Sequence, residues 1–323
     1  MRSLIVLAAA LLPVLGAQAQ DKSAIVDFAL KKDQVEKSQR LNARYDAQVR
    51  AGFAGDEKLV AAMQADLKTI DALKDPTAKT AAIAVYQRKY TKAYRAALAK
   101  GKVDLAAWAA ELNAITGRRY TVKDGTHLVA TTSNAGNDQP APATGTTVWL
   151  RDADFTFERD VGCGAIGGGR VTRFPLRFKA ESWAAQAGGC SSDGTLYHDF
   201  IVPSDKQAQV DMAAVMSVKV WAVGVVGSAS SDGFTKMTVS AMPSGQEVVY
   251  ANLIRCAAYA PLFWAAFESC EDFGALLSIR VFSGRYRVLA LATTSAWAFG
   301  NSAATSAEAF LNLSSVKITM EPR

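Results

Sequence analysis

Histidine is almost missing from this chain: His127 and His198 are the only two in 323 residues. A metal site built mainly on imidazoles is thereby excluded, and His-dependent proton transfer has two candidates. Cysteine is absent from the first 162 residues, so Cys163, Cys190, Cys256 and Cys270 all fall in the second half. No internal apolar run is long and unbroken enough for a membrane span, which takes about 20 residues. The longest, over 212–227, carries Lys219 and alternates in the manner of a strand. The G-x-S-x-G nucleophile elbow is missing as well.

The chain opens MRSLIVLAAALLPVLGAQAQ. Arg2, an apolar run from Leu4 to Leu15 and the Ala17-Gln18-Ala19 cleavage signal predict a signal peptide over 1–19. The expected location is therefore exported, periplasmic or extracellular. An even number of cysteines fits that oxidising setting, and three pairings are open; the local ones, Cys163–Cys190 and Cys256–Cys270, are favoured. Neither pair has the ligand spacing of a zinc site.

The net charge of +6 is unevenly placed. Residues 20–120 hold nineteen Lys and Arg against twelve Asp and Glu, whereas acids slightly outnumber bases afterwards. The first region is helical by period: Leu59, Met63, Leu67 and Ile70 form one stripe, Ile83, Tyr86, Tyr90 and Tyr94 a second, and Leu105, Trp108, Leu112 and Ile115 a third. Asp75-Pro76 offers an N-cap followed by proline, and Gly117 a C-terminal stop. A surplus of positive charge on a helical bundle favours an anionic surface, a polysaccharide or an acidic protein as partner. Nucleic acid is not expected at an exported location.

After Tyr120 the apolar period changes from 3.6 to 2. Residues 121–147 read as a linker or exposed loop, with TTSNAGNDQPAPATGTT at its centre. Short alternating runs follow, among them RFPLRFK, TLYHDFIV, VMSVKVWAV and FLNLSSVKITM. The expected fold is thus an α+β chain of two modules: a basic helical bundle over 20–120, then an antiparallel β-sandwich or jelly roll over 148–323, stapled by two disulfides.

Several strings resemble chemical motifs. GCGAIGGGR at 162–170 matches G-x-G-x-x-G, but a dinucleotide fingerprint must open a helix, and RVTRFPLRFK after it has a strand pattern. Ser314-Ser315-Val316-Lys317 matches S-x-x-K, yet in a strand its Ser and Lys point to opposite faces. Asp152 and Asp154 are too few for a calcium site. No cofactor or metal is implied. His198 lies near Ser191, Ser192, Asp193 and Asp199, the residue types of a hydrolase triad, although His198 and Asp199 alternate in a strand.

The binding candidates are a basic stripe, Arg173, Arg177 and Lys179, read as lying opposite Phe174, Leu176 and Phe178, together with Trp183 and Trp264 beside expected loops. The leading expectation is an exported, non-enzymatic binding or surface protein. A carbohydrate-binding or carbohydrate-cleaving jelly roll is the alternative, and a hydrolase using His198 a second one. One expectation concerns the thiols: labelling of the denatured, unreduced protein finds no free cysteine, and removal of either bridge costs about 2–5 kcal/mol in chemical denaturation.

Overall fold

The computed structural model describes residues 31–134, 142–164, 166–244 and 246–323. The leader expected over 1–19 lies outside them, as does the middle of the expected linker. Among the described residues four helices come first: α1 (Lys32–Gly52), α2 (Glu57–Ala72), α3 (Pro76–Lys100) and α4 (Leu105–Thr116). Asp75 and Asp104 cap α3 and α4 by accepting from Ala78 N and Ala107 N, each at 2.9 Å. Gly117 ends α4 with a left-handed φ of 68°. The apolar stripes are the buried faces: Leu41, Tyr45 and Val49 on α1, Met63, Leu67 and Ile70 on α2, and Ile83, Tyr86, Tyr90 and Tyr94 on α3.

Eleven strands follow among the described residues: β1 (Thr121–Lys123), β2 (His127–Asn134), β3 (Thr146–Trp149), β4 (Thr156–Cys163), β5 (Gly167–Phe174), β6 (Arg177–Ala185), β7 (Gly189–Val202), β8 (Lys206–Met242), β9 (Gln246–Ala260), β10 (Trp264–Val281) and β11 (Gly284–Pro322). All pairings are antiparallel. β1 and β2 occupy part of the segment expected to be a linker. Both faces of β2 are covered, with His127, Leu128, Val129 and Ala130 all buried, so it lacks the polar and apolar alternation of a one-sided strand.

β8 and β11 run 37 and 39 residues and pair from Lys206–Pro322 to Met242–Arg285. Each serves two half-sheets. In one half, β5, β6, β11, β8 and β10 lie side by side, with β3 beside the end of β11. In the other, the order is β4, β7, β11, β8, β9, β2 and β1. The change of half falls at Gly227 and Gly300. Gly227 has φ of 126°, and a Cβ on it would lie 2.7 Å from Gly300 Cα, so the two strands bend together where neither carries a side chain.

The bend brings the halves against each other. A Cβ on Gly233 would meet Val218 Cγ1 at 2.8 Å, and one on Gly194 would meet Val171 Cγ1 and Phe178 Cδ2 at the same distance. One continuous core joins both halves, including Val171, Phe178, Leu196, Met212, Val218, Met237, Ile254, Leu277, Val288 and Leu311. Cys256 of β9 and Cys270 of β10 form a disulfide between the halves, while Cys163 and Cys190 join directly opposed positions of β4 and β7. These are the two local pairings favoured by the sequence.

The helices cover the opposite face of part of the sheet, and a second core is shared between them. Tyr45, Tyr94, Trp108 and Leu112 pack with Leu128, Trp221, Val223, Tyr259, Phe263 and Trp264. Alternation along β8 sends Val220 and Ala222 to the first core and Trp221 and Val223 to the second. The β9–β10 turn is gripped by tyrosines: Tyr94 Oη donates to Leu262 O and Tyr86 Oη to Phe263 O, both at 2.8 Å. Trp264 stacks on Tyr94 with ring centroids 4.4 Å apart. Arg118, just past α4, shares buried Asp232 with Arg255, each at 2.6 Å. Thus the helical region and the sheet, separated by charge in the sequence, are joined in packing.

This interface yields two predictions. Tyr94→Phe leaves the buried Leu262 carbonyl without its donor, and denaturant titration should show a loss of about 1–3 kcal/mol. Asp46 of α1 is only 8% exposed; burial raises its carboxyl to about 7, against the opposing pull of Arg50 and the Leu262 N–H. A group raised in the folded state costs stability as pH climbs from its unfolded value near 4 through about 7, and the cost is complete above that. Asp46→Asn should therefore stabilise the protein at pH 8 by on the order of 4 kcal/mol and lose that advantage near pH 4, as read from melting curves across pH.

Candidate functional site

The β5–β6 hairpin sets the geometry of the exposed face. Phe174 pairs with Arg177 across the two-residue turn Pro175–Leu176, where Leu176 takes φ of 51°. The turn reverses the alternation that a continuous strand through RFPLRFK would have. Phe174, Arg177, Lys179, Glu181 and Trp183 consequently share the outer face of their half-sheet, while Val171, Phe178, Ala180 and Ala184 enter the core. Arg173 pairs in register with Phe178 and stays at the rim, bound to Asp152 at 3.0 Å and lying over Phe157. The expected stripe is corrected accordingly. Arg177 and Lys179 lie on the same side as Phe174, Arg173 is on the other, and of the three apolar residues only Phe178 is fully buried.

Trp183 lies opposite Gly168 of β5 and Ser306 of β11. A Cβ on Gly168 would collide with the indole, coming within 2.7 Å of Cε2, so the ring rests on bare backbone. It is 51% exposed. The absent side chain holds the ring down, and its outer surface remains open.

Beside it stands a charged network. Glu181 and Glu308 are directly opposed in register, and Lys179 binds both, at 2.9 and 3.2 Å. Arg170 also donates to Glu181, from Nε at 3.0 Å and from Nη2 at 2.7 Å. Burial alone would raise the Glu181 carboxyl, but the hydrogen bonds from Lys179 and Arg170 outweigh it and hold the group below its usual range. Glu181 is thus a fixed anion and acceptor rather than a proton donor. Further along β11, Trp149 of β3 pairs with Lys317, is 59% exposed, and has the Lys317 ammonium 5.9 Å from its ring centroid.

Trp264, a binding candidate because of its place beside an expected loop, is 1% exposed and forms part of the helix–sheet core. Its neighbour Phe263 turns the chain with φ of 59°, and the turn is covered by α3 rather than by water. Arg170, Glu181, Glu308, Phe174 and Trp149 do not stand out as site residues in the sequence alone. The available signal was the run Gly167–Gly169 preceding a tryptophan-bearing alternating segment, which suits a ring lying across backbone.

The hydrolase constellation does not assemble. His198 pairs with Val288, a core position, and its Nδ1 meets Asp154 O at 2.8 Å. Asp193 and Asp199 lie on the other face by alternation. Asp193 is raised to about 7, chiefly by burial, with Asp160 opposite it adding to the shift. His127 is buried and held to about 4, first by desolvation and then by Lys123. The GCGAIGGGR string enters β4 and β5 with no helix after it. Ser314 and Lys317 belong to β11, where Lys317 is bound to Asp211 at 3.2 Å. Among the described residues, no group of three His, Cys, Asp or Glu could hold a metal ion. No described helix is long and apolar enough to cross a membrane.

A shallow cavity of about 320 Å³ between α1 and α4 is lined by Lys37, Arg40, Leu41, Arg44, Glu111 and Ile115. Its cations are met by Asp33, Glu36 and Glu111, so the basic surplus of the helices is partly compensated here.

No protein family model matches the chain, and no curated protein matches it. Among solved structures, the enzymatically active domain of bacteriophage CBA120 tailspike protein 4 is similar at 9% identity and a TM-score of 0.16, over 50% of this chain and 19% of that one. The carbohydrate-binding module TmCBM61, in complex with β-1,4-galactotriose, gives 13% identity and 0.14, over 51% and 88%. A family 11 carbohydrate-binding module from Clostridium thermocellum gives 8% and 0.16, over 55% and 97%. At these scores the likenesses carry no argument about fold or activity.

Proposed function

We propose that this chain is an exported, non-catalytic carbohydrate-binding protein whose sheet is a sandwich of the jelly-roll kind, and that the face carrying Trp183 receives the glycan. The carrying observation is the half-exposed indole resting against the bare backbone of Gly168 beside a pre-paired row of polar side chains. Sugars present both an apolar ring face and a rim of hydroxyls. An open aromatic ring meets the first, and donors and acceptors already fixed in place meet the second with little further ordering on binding.

The sandwich reading is supported by the core enclosed between the two half-sheets and by the Cys256–Cys270 bridge that crosses it. Export is supported by the two disulfides. Binding is favoured over cleavage because a glycoside hydrolase needs one carboxyl raised enough to donate a proton, and Glu181 on this face is held ionised.

Affinity electrophoresis through gels containing soluble polysaccharides tests the reading. At least one polysaccharide should retard the wild-type protein, and Trp183→Ala should weaken that binding about tenfold or more, the loss of a single exposed hot-spot ring. Its circular dichroism and melting temperature should change little, because the ring lies outside both cores. Retardation by no polysaccharide, or full retardation of Trp183→Ala, would overturn it.

A further inference from the structure

The register places more than one aromatic ring on the same face. Along β11, Trp183 flanks Ser306, Glu181 flanks Glu308, Lys179 flanks Phe310, and Arg177 flanks Asn312. Phe174 stands beside Arg177, is 42% exposed, and has the guanidinium 4.6 Å from its ring centroid. Past the hairpin, Leu176 O accepts from Leu313 N, and Leu176 N donates to Asp152, which brings the β3 segment into line on the same side of β11. Trp149 then flanks Lys317. Three exposed rings thus follow one edge of β11 at the levels of 306, 312 and 317. From Trp183 to Trp149 the separation is roughly 35 Å at about 3.3 Å per strand residue.

The charges along this line mostly satisfy one another. Glu181 is bound by Arg170 and Lys179, Glu308 by Lys179, and Asp211 by Lys317. Arg177 lies over Phe174. A line whose ions are already matched has little surplus field with which to attract or reject a charged chain.

Resting on the carbohydrate reading above, we infer that the ligand is a neutral, extended polysaccharide that lies along β11 from Trp183 to Trp149, with Phe174 between them, and not a short or acidic sugar. Each ring then adds one contact to a single chain, and only a long chain reaches all three. The affinity gain comes from linking weak contacts rather than from one deep pocket.

Calorimetric titration with neutral linear β-1,4-linked glucan, galactan and xylan, each as disaccharide, hexasaccharide and soluble polymer, tests the inference, with polygalacturonate as the acidic counterpart. For the polysaccharide that binds, the polymer should bind at least tenfold more tightly than the disaccharide, and rising salt should change its affinity less than twofold. Trp149→Ala and Phe174→Ala should weaken polymer binding about tenfold and leave disaccharide binding unchanged, whereas Trp183→Ala should weaken both. The length series on the wild-type protein decides the matter even if a variant misfolds. Equal affinity for disaccharide and polymer, an unaffected Trp149→Ala, or tight salt-sensitive binding of polygalacturonate alone would overturn the extended neutral track while leaving a carbohydrate-binding face. Binding of no glycan in any form would remove both.

Discussion

The antiparallel pairing of β8 with β11 is the constraint on which the other elements depend. Both strands are several times longer than the usual strand of about five or six residues, and both supply a central position in each half-sheet. Every other strand is attached to this ribbon directly or through one or two neighbours. The close approach of Gly227 and Gly300 allows the ribbon to fold over without separating. Its hydrogen bonds therefore determine which residues share a rung, and through the rungs which side chains stand together on the exposed face.

The same ribbon explains how one sheet carries two cores. A strand with one face against the opposing half and the other against helices has no polar side to spare, and the stretch VWAVGVV of β8 meets that requirement. Where the helices end, the outer face becomes polar. Lys219 lies two positions from Trp221, and Glu308 two from Ser306, so a single change of surroundings along the ribbon divides a buried interface from an open surface. The tyrosines of α3 hold that division in place by gripping the β9–β10 turn. Their hydroxyls satisfy carbonyl groups that would otherwise be buried without a donor.

Much of the plan was legible in the sequence. The helical stripes rested on a local period that tertiary packing preserved, and the cysteine pairing rested on short separations. Strand length was not legible: VMSVKVWAV and TKMTVSAM belong to one strand, and so do YRVLALATT and FLNLSSVKITM, because the small residues between them look like turns and act as bends. The stripe at Arg173 was misplaced since a turn of two residues hides inside RFPLRFK. Proximity to a cysteine and a loop suggested exposure for Trp264, but the loop is roofed by α3, a long-range contact that no local pattern encodes. Trp183 and Arg177 occupy the face now proposed, although the glutamates beside them became visible only through cross-strand register.

Because β11 forms the middle of both half-sheets yet follows all the other described strands, neither half can close until its residues are available. The pairs it makes with β6 and β7 lie roughly a hundred residues apart in sequence, and contacts of that range form late and slowly. Until then β8 would present both of its edges and both of its apolar faces to water, the condition in which strands associate with the wrong partners. A chain built this way gains from being kept extended and protected during synthesis, then released whole.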